Sequence, residues 1–453
     1  MSDASATGLR RDLGRAAAWA ALLGTLVGAG IFRVTSDSWQ LTGPSVMLGH
    51  VVLGIPVLAT SVAYAVFLST PLGRLPGGEV NHLRAVFPGG RLAFLGAWLK
   101  IIAYLGAFAF LAQVLADHVI PLAFGALDPE EDRLWVALVC LTIFYIPHLA
   151  GVRWFGRSQV LMCVLLAMAI AVLVLPGLFH IDPANYRPFF RGGTWGFLES
   201  LVPLFFAWAG FESLAQAAGE VKNSTKEVPR IFLRGVVLTI ALYVVMSLVT
   251  FGVLPGGALE QSATPMVDVA ASYLPGGAEH IVTAGAVLAI ATSLNASLLV
   301  PSRLCVQLSA DGLLPGWLGR VSPATGTPVL ALTAGYAVAV LLLVTGQLSL
   351  ALNIAIFALI LLYIAHSSAL LMLPKRRPDL EAEVTVAIGP RTRVAAALVS
   401  IASLSVLVVV QVVGDVRAIA GESLSARASS GGFTALELGA FWLLIGAALM
   451  KRR

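Results

Sequence analysis

Twelve apolar windows follow one another along this 453-residue chain and leave little sequence for anything else. They are Ala16–Phe32, Pro44–Ser69, Leu92–Val119, Leu134–Ala150, Val160–Phe179, Gly196–Ala218, Val236–Leu254, Ile281–Val300, Pro328–Thr345, Leu348–Leu373, Val394–Val413 and Phe433–Met450. A bilayer core about 30 Å thick takes roughly 20 mostly apolar residues of helix. The fourth window is short and contains Pro147, so the pattern does not fix its end. The windows are continuous apolar runs, not the alternating segments of about 10 residues that build a membrane barrel. Composition agrees: 58% of residues are hydrophobic and 12% charged, half the roughly 25% that covers a soluble surface. A soluble enzyme and a disordered chain are excluded. So is a nucleic-acid binder, because the net charge of +5 is scattered over short loops and not gathered on one stripe. The fold class is an all-α integral membrane protein.

Arg10-Arg11 before an Ala/Leu run resembles a twin-arginine or secretory signal. Eleven more windows and no polar domain follow, so the run reads as an uncleaved first helix behind a tail of residues 1–15. Short loops set orientation through their Lys/Arg content. With the N-terminus inside, 22 of the 29 basic residues fall on inner segments, six on outer loops and one, Lys100, inside the third span. Both termini are therefore expected on the cytoplasmic side of a cell membrane. Arg outnumbers Lys 24 to 5, which points to a GC-rich bacterial source and hence a bacterial inner membrane.

Two spans are composed to break. The first contains Leu23-Gly24-Thr25-Leu26-Val27-Gly28-Ala29-Gly30-Ile31-Phe32, and each glycine weakens a helix by about 1 kcal/mol relative to Ala. Small residues at this spacing also let helices approach closely, and the stretch alone supports packing and a break equally. Backbone groups freed by a break in a bilayer need protein, water or ligand partners. Amides opening the second half-helix would face a bound anion. The sixth span carries Gly210 and the carboxylate Glu212 in mid-membrane, within the run Leu204–Leu214. It is the counterpart of the first after five crossings, and an odd number returns a repeated unit upside down. Gly-interrupted spans at matching positions of two halves point to a transporter site.

The run GTLVGAGIF resembles the first-helix signature of the amino acid/polyamine/organocation (APC) transporter superfamily, and FFAWAGFESLAQAAGEVKNSTKEVPR resembles its sixth helix and following loop. Asn295, Ser302-Arg303, Asp311-Gly312-Leu313-Leu314-Pro315 and Thr327-Pro328 match around the eighth span, as does Leu75-Pro76-Gly77-Gly78-Glu79 after the second. The resemblance covers about residues 16 to 373. It implies a LeuT-type fold: one five-helix repeat over 16–179, an inverted one over 196–373, and two peripheral helices over 394–450.

Resemblance and physics together imply a zwitterionic amino acid as substrate. Its carboxylate would accept from the amides of Gly28, Ala29 and Gly30, and its ammonium would donate to carbonyls around Leu26, Phe206, Ala207 and Ala209. Phe206 and Trp208 are candidates for an aromatic gate, against ordinary core or lipid-facing roles. Glu212 is an ionisable group in the bilayer, functional by default; gating or capping of the second half-helix is preferred to substrate contact. Lys100 stands where some relatives carry a polar residue, but snorkelling to the inner headgroups is the preferred reading. His50 and His366 read as separate packing residues.

No H-E-x-x-H, G-x-S-x-G or G-x-x-x-x-G-K-[ST] motif occurs, and Cys140, Cys163 and Cys305 lie far apart in apolar runs. No catalytic residue, metal or cofactor is expected, which sets aside an intramembrane enzyme and a nucleotide-driven pump. A transport-derived sensor would need a signalling domain, and the tails are only about 15 and 3 residues. The expected function is secondary or exchange transport of an amino acid, with membrane lipid as the surroundings. The substrate is expected to be neutral, since only Glu212 and Glu199 lie deep; a cationic amino acid or polyamine is the alternative. In proton-coupled relatives a lysine in mid-helix five is thought to reach the place where sodium-coupled ones hold an ion. Here Leu165–Ala169 has no ionisable group, which leaves Lys100 as the substitute. Thr292, Ser293 and Ser297, with carbonyls near Gly24 and Val27, could line a cation site, against simple bonding one turn back. The expected order is exchange first, sodium coupling second and proton coupling third.

Overall fold

The computed structural model describes residues 8–28, 30–123, 127–262, 264–346, 348–421 and 433–451. Among these, all regular structure is helical apart from isolated bridge residues, of which Leu13 pairs with Val221. Among the described residues, nine helical segments are long and apolar enough to cross a membrane, and three shorter apolar helices coincide with the fourth, ninth and twelfth windows.

The first span is divided into α1 (Arg15–Leu26), a wide π-type turn (Gly30–Val34) and α2 (Thr35–Thr42). The next spans are α3 (Val46–Leu68), α5 (Arg91–Val119), α6 (Arg133–Leu149) and α7 (Val152–Gly177). The short helix α4 (Glu79–Val86) lies between α3 and α5. The sixth span is α8 (Gly193–Phe205), a tight turn (Phe206–Trp208) and α9 (Ser213–Gln216). There follow α10 (Ser224–Val253), the short α11 (Gly256–Gln261) and α12 (Pro265–Tyr273), and an eighth span of α13 (Glu279–Ser297) and α14 (Leu299–Ala310). The chain continues through α15 (Val329–Thr345), α16 (Leu348–Arg376), α17 (Pro378–Ala382), α18 (Pro390–Gly421) and α19 (Ala435–Lys451).

The fourth window ends where its chemistry dictates. Pro147 has no amide to donate, α6 stops at Leu149, and Gly151, at φ +111°, turns the chain directly into α7.

The largest helix–helix contacts are α3 with α10, α5 with α16, and α7 with α13. Exchanging the first five spans for the next five turns the α5–α16 pair into α13–α7 and returns α3–α10 to itself. Both broken spans lie inside this arrangement, while α18 packs on α3 and α16. Lipid would meet the outer faces: α7 and α18 expose Leu161, Val164, Met168, Val406 and Val409.

Candidate functional site

At the first break, all four terminal carbonyls of α1, the groups a helix end leaves unpaired, have partners. Leu23 accepts from the Val27 amide, and Gly24 and Thr25 lie 3.3 and 3.2 Å from the Ser293 hydroxyl. Leu26 accepts from the Gly28 amide at 2.8 Å and from the Tyr243 hydroxyl. At the second break Ala209 is extended, Gly210 takes φ +100°, and the Ala207 carbonyl accepts from the same Tyr243 hydroxyl at 2.7 Å. Tyr243 therefore ties the two breaks together, and Thr25 and Ser213 join them again through their hydroxyls at 3.2 Å.

The glycines serve close packing and the break at once. A Cβ on Gly28 would overlap the Ser293 hydroxyl, and one on Gly30 would overlap the Ala207 backbone. A Cβ on Gly210 would come 2.5 Å from Thr25 Cγ2. The two readings of the first span were not exclusive.

Between the breaks lies a cavity of about 40 Å³, room for little more than a water. Thr25, Gly30, Phe206, Ala207, Ala209, Gly210, Ser293 and Ser297 line it, with Tyr104 and apolar residues of α5 and α16. Phe206 packs edge-on to Phe110 at 5.5 Å. A second cavity of about 600 Å³ is lined by Phe32, Gln40, Asp117, His118, Met266 and His280, among others. Ala286 borders the larger and Ser293 the smaller. Seven residues of one helix separate them, about 10 Å of depth at 1.5 Å per residue. The larger cavity is a vestibule above a nearly closed chamber.

The face opposite the vestibule is sealed. Arg303 on α14 donates two hydrogen bonds to Glu220, at 2.8 and 3.1 Å, both side chains being fully buried. The Leu13 amide donates to the Glu220 carbonyl at 3.0 Å, and the Lys222 amide donates to Leu13 at 2.9 Å.

Behind the chamber sits a cluster of charges. Lys100 does not snorkel: it is completely buried, its Nζ 2.6 Å from Glu79 and 3.5 Å from Glu212. The snorkelling reading rests on Arg91 marking the inner edge nearby, and it fails because Lys100 has a buried carboxylate partner in Glu79. Gly77 and Gly78, both at positive φ, turn the chain so that α4 enters the core with Glu79 at its start. Glu79 also accepts from Tyr64 at 3.1 Å and Gln216 at 2.8 Å. Burial raises the Glu79 carboxyl above its ordinary value, against the pull of Lys100. Glu212 immediately precedes α9 and accepts from the Gly210 amide at 3.1 Å, from Tyr104 at 2.8 Å and from Tyr363.

Other expected residues fall elsewhere. Trp208 is fully buried against His50 and Tyr243, outside the chamber, which removes it from the gate. His366 is not alone: its ring nitrogen lies 2.9 Å from that of His82, which burial, with His366 and Lys100 adding, holds well below 6.5. His50 bonds Thr35 at 3.0 Å. Ala29 lies outside the described residues. On α7, Gln159 and Cys163 reach α1, both bonded to the Ala20 carbonyl at 3.3 Å. Thr292 bonds back to Ala289 at 2.8 Å and Ser293 bonds forward to α1. Of the oxygens suggested for a cation, the Thr292 and Ser293 hydroxyls and the Gly24 carbonyl are therefore engaged in protein hydrogen bonds. Tyr243, Tyr104, Tyr363 and Gln159 were missed, since one polar group in a long apolar helix carries no local signal of what it faces.

The family described as Amino acid permease matches residues 13–427, which include both breaks, the vestibule and the charge cluster. The chain belongs to this family. It is an APC-superfamily amino acid transporter and not an enzyme. The chain is 26% identical over 393 residues to the branched-chain amino acid permease BcaP of Bacillus subtilis (strain 168), covering 82% of this chain and 83% of that protein. It is 27% identical to the methylthioribose transporter of the same organism, covering 81% and 82%. To the chloroplastic cationic amino acid transporter 9 of Arabidopsis thaliana it is 27% identical, covering 66% and 55%. Within this permease, main-chain groups at two breaks, a closed chamber, a vestibule on one side and a seal on the other are the parts that alternating access needs.

Proposed function

We propose that this permease carries a neutral amino acid with an apolar side chain through the chamber between the two breaks, by alternating access. The observation that carries the reading is the lining. Thr25, Tyr104, Ser293 and Ser297 supply hydroxyls; Ala103, Ala107, Leu111, Phe206, Ala355 and Leu359 supply apolar surface; no charged side chain is among the lining residues. A cationic side chain would lie there unpaired, at a cost of several kcal/mol. The likeness to a branched-chain permease supports the same class, and the likeness to a cationic transporter names the competitor.

The zwitterion's own charges are met by main chain. Its carboxylate lies on amides opening the second half of the first span, Gly30 foremost with Ala29; Gly28 is withdrawn, because its amide already donates to the Leu26 carbonyl. Its ammonium faces carbonyls of Phe206, Ala207 and Ala209. Leu26 is withdrawn from that set, because its carbonyl already accepts two hydrogen bonds. Phe206 closes over the substrate, and Glu212 acts from behind the wall. The chamber is far below the roughly 300–1,000 Å³ of open ligand pockets, so substrate entry from the vestibule must part the breaks.

Residues 16–179 and 196–373 form the two inverted repeats of this reading, with 394–450 peripheral; the exchange of α5–α16 for α7–α13 supports it. The Lys/Arg bias puts both termini in the cytoplasm of a bacterial cell and the vestibule outside. The test is counterflow in liposomes loaded with unlabelled amino acid, with labelled leucine and labelled arginine outside. A ligand that binds the folded state also raises its melting temperature. Leucine is expected to exchange and to stabilise; exchange of arginine but not leucine would overturn the neutral assignment.

A further inference from the structure

We infer that a groove between the N-terminal tail, α1 and α7 binds one anionic phospholipid, its phosphate on Arg153 and Arg157, and that this lipid braces the sealed face. The inference goes beyond the substrate assignment and does not depend on it. Only the leaflet, the cytoplasmic one, rests on the orientation proposed above.

The groove is made by two facing stripes. On α7, Arg153, Gly156, Arg157 and Val160 recur at i, i+3, i+4 and i+7, one face of a helix. Opposite them, where the tail enters α1, stand Asp12, Leu13, Ala16 and Ala17. The two stripes touch at Gly156, where a Cβ would come 2.9 Å from Leu13 Cδ2 and 3.1 Å from Ala17 Cβ. Beside that contact the same residues border a space of about 400 Å³, within the roughly 300–1,000 Å³ of ligand sites.

Its depth is that of a headgroup. Trp154 is 53% exposed, with the Arg157 guanidinium over its ring at 5.4 Å, and tryptophan gathers where a bilayer meets water. Further along α7 the exposed Leu161, Val164 and Met168 continue the apolar surface from Val160. An acyl chain would cover that surface, and a soluble anion would leave it bare.

Charge selects the headgroup. Arg153 and Arg157 are exposed, and neither joins an ion pair among the described residues. Asp12 is half-buried on the other wall. Two guanidiniums and one carboxylate leave one positive charge, which a single phosphodiester balances. Guanidinium forks match phosphate oxygens, and basic pockets between helices on the cytoplasmic side take anionic headgroups. A glycerol headgroup adds hydroxyls that donate to Asp12. An ethanolamine headgroup brings its own ammonium and leaves the excess positive charge in place. Phosphatidylglycerol is therefore the better match.

Leu13 carries the effect to the sealed face. Its side chain borders the groove, and its main chain makes the two bonds, to Glu220 and Lys222, that help close that face. Opening the face breaks both bonds and draws Leu13 from its place, which dismantles the groove as well. A lipid that binds only the intact groove favours the sealed state by mass action.

Protein purified in an uncharged detergent tests the site, with phosphatidylglycerol, phosphatidylethanolamine of the same acyl chains, or inorganic phosphate added. Phosphatidylglycerol should raise the melting temperature, phosphatidylethanolamine should raise it less, and phosphate should leave it unchanged. Arg153→Gln and Arg157→Gln should each raise the phosphatidylglycerol concentration for half the shift about fivefold, the share of one basic group at a membrane surface. Ala16→Trp, at an exposed position, fills the groove with every charge kept and should abolish the shift. Arg376→Gln, exposed at the end of α16 and outside the groove, should leave it intact. Equal weakening by Arg376→Gln would mean that the lipid reads overall surface charge. That result, an equal shift from phosphate, or a larger one from phosphatidylethanolamine, overturns the proposal. Amide exchange followed by mass spectrometry tests the brace. Phosphatidylglycerol should slow exchange in the segments carrying the Leu13 and Lys222 amides, and should not do so in Ala16→Trp. Binding without that slowing refutes the brace.

Discussion

Gly28 and Gly30 have different neighbours, and the difference is testable. A Cβ at Gly28 collides with the Ser293 side chain, whereas one at Gly30 collides with the Ala207 main chain. Gly28→Ala should lower the melting temperature and abolish leucine-induced stabilisation, and adding Ser293→Gly should recover part of both. Residues in contact typically couple by 0.5–3 kcal/mol, and about 1 kcal/mol is expected here from a double-mutant cycle on thermal unfolding. Gly30→Ala should be deleterious and not rescued by Ser293→Gly. Equal behaviour of the two glycines would show that the breaks tolerate separation.

The same scale explains what the sequence hid. The glycines were legible because three in seven residues conflict with a helix. Lys100 was visible as an anomaly, but its partner stood 21 residues earlier in a segment that reads as a loop. Two glycines at positive φ turn that loop inward, and their consequence is tertiary. Glu212 stands immediately before α9, yet its hydroxyl partners on α5 and α16 had no local signature.

At the level of elements, a broken helix needs its freed carbonyls served, and the first span is served mostly from outside itself. Ser293 on α13 and Tyr243 on α10 hold the end of α1, and Tyr243 reaches the second break as well. Each span was legible from hydropathy, because continuous apolar length is a bilayer requirement. The caps were not, because any hydroxyl in those helices would look alike. Tyr243→Phe keeps the ring packing on Trp208 and His50, whose centroids lie 4.8 Å away in both cases, and removes only the hydroxyl. Intramembrane hydrogen bonds are worth about 1–2 kcal/mol. A loss of that size in denaturant unfolding, with weaker leucine binding, is expected; wild-type stability would mean that the breaks are held by packing alone.

Across the whole molecule, the opposition of an open vestibule to a sealed face is an equilibrium that one buried ion pair biases. Glu220 and Arg303 are bonded twice and fully buried, and the Glu220 main chain also receives the Leu13 amide. In a state with this face open, water would solvate Arg303 whether or not Glu220 is present. Glu220→Ala therefore penalises the sealed state selectively. Removing one partner of a buried pair costs about 3–5 kcal/mol, and 3 kcal/mol already shifts a two-state ratio by roughly 100-fold. The vestibule should then spend most of its time closed. A cysteine introduced at Thr283, which lines the vestibule, reports this by its rate of modification with a membrane-impermeant maleimide; native Cys140 and Cys305 are buried and Cys163 lies largely so. Labelling should slow markedly in Glu220→Ala, and Glu220→Asp should restore part of the rate by keeping the charge. Unchanged labelling with a lowered melting temperature would mean that the pair supports the fold in both states and does not choose between them.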